Sequence, residues 1–173
     1  MNNAYPELPQ LPFQRTSTAM SDVVTALIAQ PVAAEIKRAG YVMFRNESGN
    51  GAQGINNNYI GVQADGERWP AVFTPSFAGT VTMAENGTHI QRIFIAFKDL
   101  AGCIAFLMNR VSSRGLYVGG TTHLVLTMQV TSPEDLAVAY HREWVTGNAS
   151  SNPSPQEEES FLSMYNQAKE LIT

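Results

Sequence analysis

Between Ser48 and Trp69 the chain carries five glycines, Gly49, Gly51, Gly54, Gly61 and Gly66, and three consecutive asparagines, Asn56 to Asn58. Neither a helix nor a strand interior tolerates that density of glycine, so the stretch predicts a loop. A helical pattern precedes it. Pro31 suits a first helical turn. At about 100° per residue, Val32, Ile36, Ala39, Gly40, Met43, Phe44 and Glu47 share one face, with Glu35, Lys37, Arg38, Tyr41 and Arg45 outside it. Short β-prone runs follow the loop. Residues 79–85 and 88–97 flank Asn86-Gly87, which accepts both positive φ angles of a type I′ turn and so predicts a hairpin. Helix, glycine-rich loop and small sheet, in that order, point to an α+β fold.

The flanking segments are helical or extended. Pro6, Pro9 and Pro12 make residues 1–20 an extended arm, which Leu8, Leu11 and Phe13 can pack against the body. Ser21 or Asp22 caps a short helix that runs to Gln30. Lys98 or Asp99 opens another helix, ending near Ser113. Residues 121–130 read as strand by their β-branched content or as helix by their flanks. Ser132-Pro133-Glu134-Asp135 starts a helix that Gly147 stops. Ser154-Pro155 and three glutamates start the last helix, because acids complement its dipole. An arm over 1–20 and a single domain over 21–173 are therefore expected.

Several function classes fall away. The net charge is −4, and residues 134–173 hold seven acids against Arg142 and Lys169. Such a balance argues against a nucleic-acid binder. No run of 18 apolar residues occurs, so no membrane insertion is expected. The first 14 residues lack Lys and Arg, so no secretory signal is expected. The single cysteine, Cys103, reads as a small buried hydrophobe. His89, His123 and His141 stand apart without metal-ligand spacing, and neither a metal nor another cofactor is expected. Gly49-x-Gly51-x-x-Gly54 matches the dinucleotide fingerprint in letters, but that device needs a strand before it and a helix after it. Here a helical pattern precedes and Ile55-Asn56-Asn57-Asn58 follows. The glycines are expected to turn the chain sharply beside Glu47 and to let it pass close to a ligand.

Glu47 is the residue on which chemistry can rest. It lies within an apolar stripe at the C-terminal end of a helix, where apolar neighbours and the negative end of the dipole both disfavour ionisation. A carboxyl kept protonated near neutral pH can act as a general acid. Helix geometry alone also admits a frayed helix end, satisfied by Arg45 or by a loop amide.

Glu47-Ser48-Gly49-Asn50-Gly51, then Asn57-Asn58-Tyr59-Ile60-Gly61-Val62-Gln63-Ala64, Trp69, and Phe94-Ile95-Ala96-Phe97-Lys98-Asp99-Leu100 together resemble the lysozyme-like peptidoglycan hydrolases. The similarity is strongest to the N-acetylglucosaminidases of glycoside hydrolase family 73, the flagellar-type wall hydrolases, and spans about residues 36–117. That family's late Gly-Tyr-Ala-Thr-Asp-Pro segment is absent. The resemblance implies a lysozyme-like α+β fold, a helical body and a small β lobe flanking a glycan cleft. It implies cleavage of β-1,4 bonds of bacterial peptidoglycan, with Glu47 as general acid. A second carboxylate, where one is used, would come from Asp65, Glu67 or Glu85, and the family's place for it on the hairpin falls nearest Glu85. A route assisted by the substrate's own acetamido group would need none. Tyr59, Trp69 and Tyr117 are candidate cleft walls, and Asn57, Asn58 and Gln63 candidate polar contacts. The rival readings are a lytic transglycosylase or muramidase of the same fold, and a non-catalytic wall-penetrating protein of a virion or secretion machine. Without an export signal, action on the wall would follow lysis, with a holin, virion delivery or specialised secretion.

Overall fold

The computed structural model describes residues 2–66, 69–85, 88–122, 125 and 127–173. The chain divides into two compact units, Met1–Val23 with Phe44–Phe106, and Val24–Met43 with Leu107–Thr173. Three helices contribute residues to both, α1 (Met20–Ile28), α2 (Ala34–Ser48) and α3 (Leu100–Arg114).

The first unit is built on an antiparallel hairpin of β3 (Phe77–Ala84) and β4 (Gln91–Phe97), in register from Phe77↔Phe97 to Ala84↔Gln91. The two predicted β runs are therefore paired, and β3 begins two residues earlier than expected. The predicted turn dipeptide, Asn86-Gly87, lies outside the described residues. The flanks nevertheless correct the two-residue turn: Glu85 N donates to Ile90 O at 2.8 Å, which leaves four residues between the last bonded pair. His89 closes the loop in the left-handed region, φ 56°, and donates to Glu85 O. The hairpin's inner face supplies an aromatic cluster. Phe97 packs edge-on against Phe77 and Phe106, Phe106 meets Trp69 and Phe73, and Phe77 meets Tyr5 of the arm. Cys103 is fully buried in this unit, as its apolar setting predicted, and burial pushes its thiol up to about 12.

The arm belongs to the same unit. Leu11 N donates to Thr80 O, and Thr80 N to Pro9 O. Further along, β1 (Arg15–Thr16) pairs antiparallel with β2 (Gly54–Ile55).

The second unit is helical. It holds most of α1 (Met20–Ile28), the first ten residues of α2, the end of α3, α4 (Pro133–Tyr140) and α5 (Pro155–Leu171). Helix α2 starts at Ala34, later than expected. Pro31 sits in the preceding bend, and Ile36 N and Lys37 N both bond to Ala33 O, which opens the helix. Lys37 reaches back to cap α1 through Ile28 O at 2.8 Å. The ambiguous 121–130 segment is strand at both ends, β5 (Gly120–Thr121) pairing with β6 (Gln129–Val130). The two C-terminal helices start where their caps predicted. Ser132 Oγ accepts from Asp135 N, and Ser154 with Glu157 completes a reciprocal capping box. Helix α4 passes into a π-helical stretch, His141–Thr146, and ends on Gly147 in the left-handed region. No described helix is long and apolar enough to cross a membrane.

Candidate active site

Glu47 lies in the last turn of α2, and the residues after it explain why the helix stops there. Ser48 Oγ donates to Phe44 O, one turn back, and accepts from Gly51 N at 2.8 Å. Gly49, Asn50 and Gly51 all have positive φ, and Asn50 N bonds to Arg45 O. The chain thus reverses within three residues while its polar groups stay satisfied by the helix end. Glu47 is left half-buried beside the turn.

It lines a cavity of about 550 Å³ that lies entirely within the first unit. Glu85, at the tip of the hairpin, lines the same cavity, together with Asn58, Tyr59, Gln63, Met83 and Phe94. Two carboxyl-bearing residues from distant parts of the chain therefore face one space. Among the described residues no cluster of His, Cys, Asp and Glu is suited to hold a metal ion.

The environment of Glu85 is well defined. Thr88 Oγ1 donates to Oε2 at 2.9 Å and Gln63 Nε2 donates to Oε1 at 3.1 Å. The Arg92 guanidinium stands 3.6 Å from Oε2 and also 3.6 Å from Asp65 Oδ2. The Thr88 hydrogen bond, aided by the Arg92 charge and by Gln63, holds the Glu85 carboxyl below the usual glutamate range, against a smaller opposing effect of desolvation. Glu85 is thus set up as an anion and a proton acceptor. Asp65, by contrast, is buried against Arg92, with Oδ1 unpartnered, and does not line the cavity. Glu67 lies outside the described residues.

The other sequence candidates separate into two groups. Tyr59 is 3% exposed, tilted against Phe44 with ring centroids 5.3 Å apart, and bonded to Thr16; burial raises its phenol above the ordinary range. Asn58 lines the cavity, yet its carboxamide is committed to the backbone: Nδ2 donates to Val62 O and Ile95 O, and Oδ1 accepts from Val62 N. Gln63 lines the cavity and touches Glu85. Three candidates are not among the lining residues. Asn57 takes a positive φ and donates to Phe97 O and Lys98 O, which makes it a turn residue tying the loop to β4. Trp69 packs edge-on against Phe106 and spends its indole N–H on Gln63 O at 2.9 Å. Tyr117 belongs to the second unit, its ring lying over Gly120.

Phe13 and Arg15 of the arm also line the cavity, and neither is among the sequence candidates. Their spacing of two is the only local signal. It places both on one side of an extended segment, and it gains meaning only once β1 is paired to β2.

No protein-family model matches the chain, and a search of curated proteins found no match. The solved structures include a similar one, that of the glycoside hydrolase domain from Salmonella typhimurium FlgJ. The likeness has a TM-score of 0.51 at 14% identity and covers 89% of this chain and 91% of that one. Over nearly the whole of both chains the fold is therefore shared. The chain thus has a lysozyme-like α+β fold, in keeping with the fold that the resemblance carried by the Glu47-Ser48-Gly49 segment implies.

Proposed function

We propose that the protein is a peptidoglycan hydrolase that cleaves β-1,4 glycosidic bonds of the bacterial wall, with Glu47 as general acid and Glu85 as the carboxylate that activates water. The observation that carries this reading is the single cavity lined by both residues. A glycosidase of the two-carboxylate type needs one group that donates a proton to the leaving oxygen and one that stays ionised. Glu85, held below the usual range by Thr88, suits the second role. Glu47, half-buried at a helix C-terminus, suits the first. In this scheme a glycan strand lies in the cavity and Glu47 protonates the glycosidic oxygen. Glu85 then takes a proton from the water that attacks the anomeric carbon. Gln63 and Thr88 keep the Glu85 oxygens aimed while that proton arrives. Delivery to the wall, by lysis, on a virion or through a secretion apparatus, forms part of the proposal.

The test is Glu47→Gln, which keeps the side chain's size but cannot donate the proton. Clearing of isolated cell walls should fall at least about a hundredfold while the variant stays folded. A folded variant that clears walls at the parent rate would remove Glu47 from the mechanism. Mass spectrometry of the products settles the bond: a reducing N-acetylglucosamine end assigns a glucosaminidase, a reducing muramic end a muramidase, and an anhydro end a transglycosylase.

A further inference from the structure

The arm that carries Phe13 and Arg15 is fastened along the first unit by contacts that only glycine allows. A Cβ on Gly54 would lie 2.6 Å from Thr16 Oγ1, one on Gly51 would lie 2.4 Å from Thr18 O, and one on Gly79 would lie 2.4 Å from Pro9 O. Two glycines of the apparent dinucleotide fingerprint thus seat the arm. Asn56 clamps the same segment, accepting from Gln14 N at 2.9 Å and donating to Pro12 O at 3.1 Å. The backbone from Pro12 to Thr18 is therefore fixed beside the cavity.

Two side chains on that fixed backbone, those of Phe13 and Arg15, are unspent. Phe13 is 51% exposed, although it is a large apolar ring at the cavity wall. Arg15 is exposed, and among the described residues no hydrogen bond or ion pair engages its guanidinium. Among the described residues that line the cavity it is the only lysine or arginine, and the carboxyl-bearing ones are Glu47 and Glu85. The ionised Glu85 repels an anionic ligand, so Arg15 decides where a carboxylate of the ligand can rest. An exposed ring two residues away offers a flat apolar face to a sugar.

We propose that the arm forms a substrate subsite in which Phe13 stacks on a sugar ring and Arg15 pairs with a carboxylate of the glycan strand. The inference rests on the hydrolase reading and names the feature of the substrate that the cavity selects. Peptidoglycan carries carboxylates in two places, on the lactyl ether of a muramic residue freed of its peptide and on the stem peptide itself. A planar guanidinium matches either one in bidentate fashion.

The experiment compares three substrates from one wall preparation: peptide-free glycan chains with free lactyl carboxylates, the same chains with those groups converted to neutral amides, and peptide-bearing chains. KM is measured for the parent, Arg15→Gln, Phe13→Ala and, as a control for overall charge, Lys169→Gln. The parent should show a KM about tenfold lower on a carboxylated chain than on the amidated one, and Arg15→Gln should erase that ratio. Lys169→Gln should keep it. Phe13→Ala should raise KM about tenfold on every chain, as expected for a lost stacking face. A preference confined to peptide-free chains assigns the lactyl carboxylate, and one confined to peptide-bearing chains assigns the peptide. A parent without preference, or an Arg15→Gln protein that retains it, overturns the subsite while leaving the hydrolase reading intact. Should the parent cleave none of the three, the hydrolase reading fails. Calorimetric binding of the same chains to the parent and to Arg15→Gln then decides the subsite separately.

Discussion

The two units hold their polar groups in different ways. In the first, asparagine side chains bond to backbone far away in sequence. Asn56 reaches Gln14 and Pro12 across 42 and 44 residues, Asn57 reaches Phe97 across 40, and Asn58 reaches Ile95 across 37. In the second, Ser132 bonds to Asp135 and Ser154 to Glu157, three residues on, and Arg142 reaches Ser151 nine residues on. Arg38, which donates to Ile172 O across 134 residues, and Glu143, which accepts from Val125 N across 18, are exceptions there. Local bonds stabilise single helices, whereas long-range bonds fix separate segments at one place. The cavity lies in the unit built the second way, because a cleft needs groups from several segments held at fixed separations.

That contrast is sharpest at two glutamates. Glu85 lines the cavity and is poised by Thr88 and Gln63. Glu143 of the second unit is buried, accepts Val125 N at 2.9 Å through Oε2, and leaves Oε1 unpartnered. Glu85→Gln should lower wall clearing about a thousandfold, the upper part of the range for a lost acid–base group, while glycan fragments still bind. Glu143→Gln retains an acceptor for Val125 N and should leave clearing at the parent rate. Equal loss in the two variants would break the comparison. A larger effect of Asp65→Asn than of Glu85→Gln would move the base to the buried carboxylate behind Arg92. Tolerance of both would favour the route assisted by the substrate's acetamido group.

Elements that depend on near neighbours were legible in the sequence. The starts of α4 and α5 followed from Ser-Pro-acid signatures, Gly147 ended the π-helical stretch, and Glu47 fell at the end of α2 as the apolar stripe required. What escaped was non-local. Nothing within 12–16 announces that Arg15 will pair with Ile55, so Phe13 and Arg15 were invisible as cavity residues. Trp69 looked like a sugar platform until its indole was placed against Phe106 and Gln63 O. Asn57 and Asn58 looked like ligand contacts because asparagine serves both ligands and turns, and here the backbone claims both. The strands β5 and β6 are two residues each, too short for any periodicity to declare itself.

The second-largest effect concerns how the long-range contacts are seated. Gly51 has φ 83°, and a Cβ there would meet a backbone oxygen, Thr18 O, at 2.4 Å. Gly51→Ala adds a left-handed penalty to a clash with atoms that cannot rotate away. It should destabilise by on the order of 3 kcal/mol, read as a shift in the denaturant midpoint. Displacement of the arm would also raise KM, linking stability of this unit to substrate binding.

A smaller effect tests the electrostatics of the tip. The Glu85 carboxyl lies below its ordinary range, so its ionised form persists as pH falls through the usual glutamate titration. Any stability it contributes is present above the unfolded pKa and is lost only as pH drops through the folded value. Thr88→Val removes the largest cause of that shift. The acid limb of the activity profile should then move to higher pH, with a larger loss of activity under acid than at neutrality. An unmoved acid limb would show that Glu85 is not the group that titrates there.

The smallest effect is expected at the glycine that most resembles Gly51 on paper. A Cβ on Gly40 would approach Met108 Cε to 2.0 Å, a shorter distance than at Gly51. Distance alone would make Gly40→Ala the worse substitution. Two physical differences reverse the order. Gly40 sits inside α2, where alanine is favoured over glycine by about 0.5–1 kcal/mol. The atom it meets is the terminal methyl of methionine, whose three side-chain torsions let it swing aside, rather than a carbonyl locked in a strand-like arm. Repacking around Met108 costs about 1–3 kcal/mol when the core cannot yield and less when it can, so the net change should stay within about 1 kcal/mol. Measured side by side, Gly51→Ala should lose far more stability than Gly40→Ala. A Gly40→Ala protein as damaged as Gly51→Ala would mean that the helical core is as rigidly packed as the arm seat, and that the difference between the two units is one of sequence separation alone.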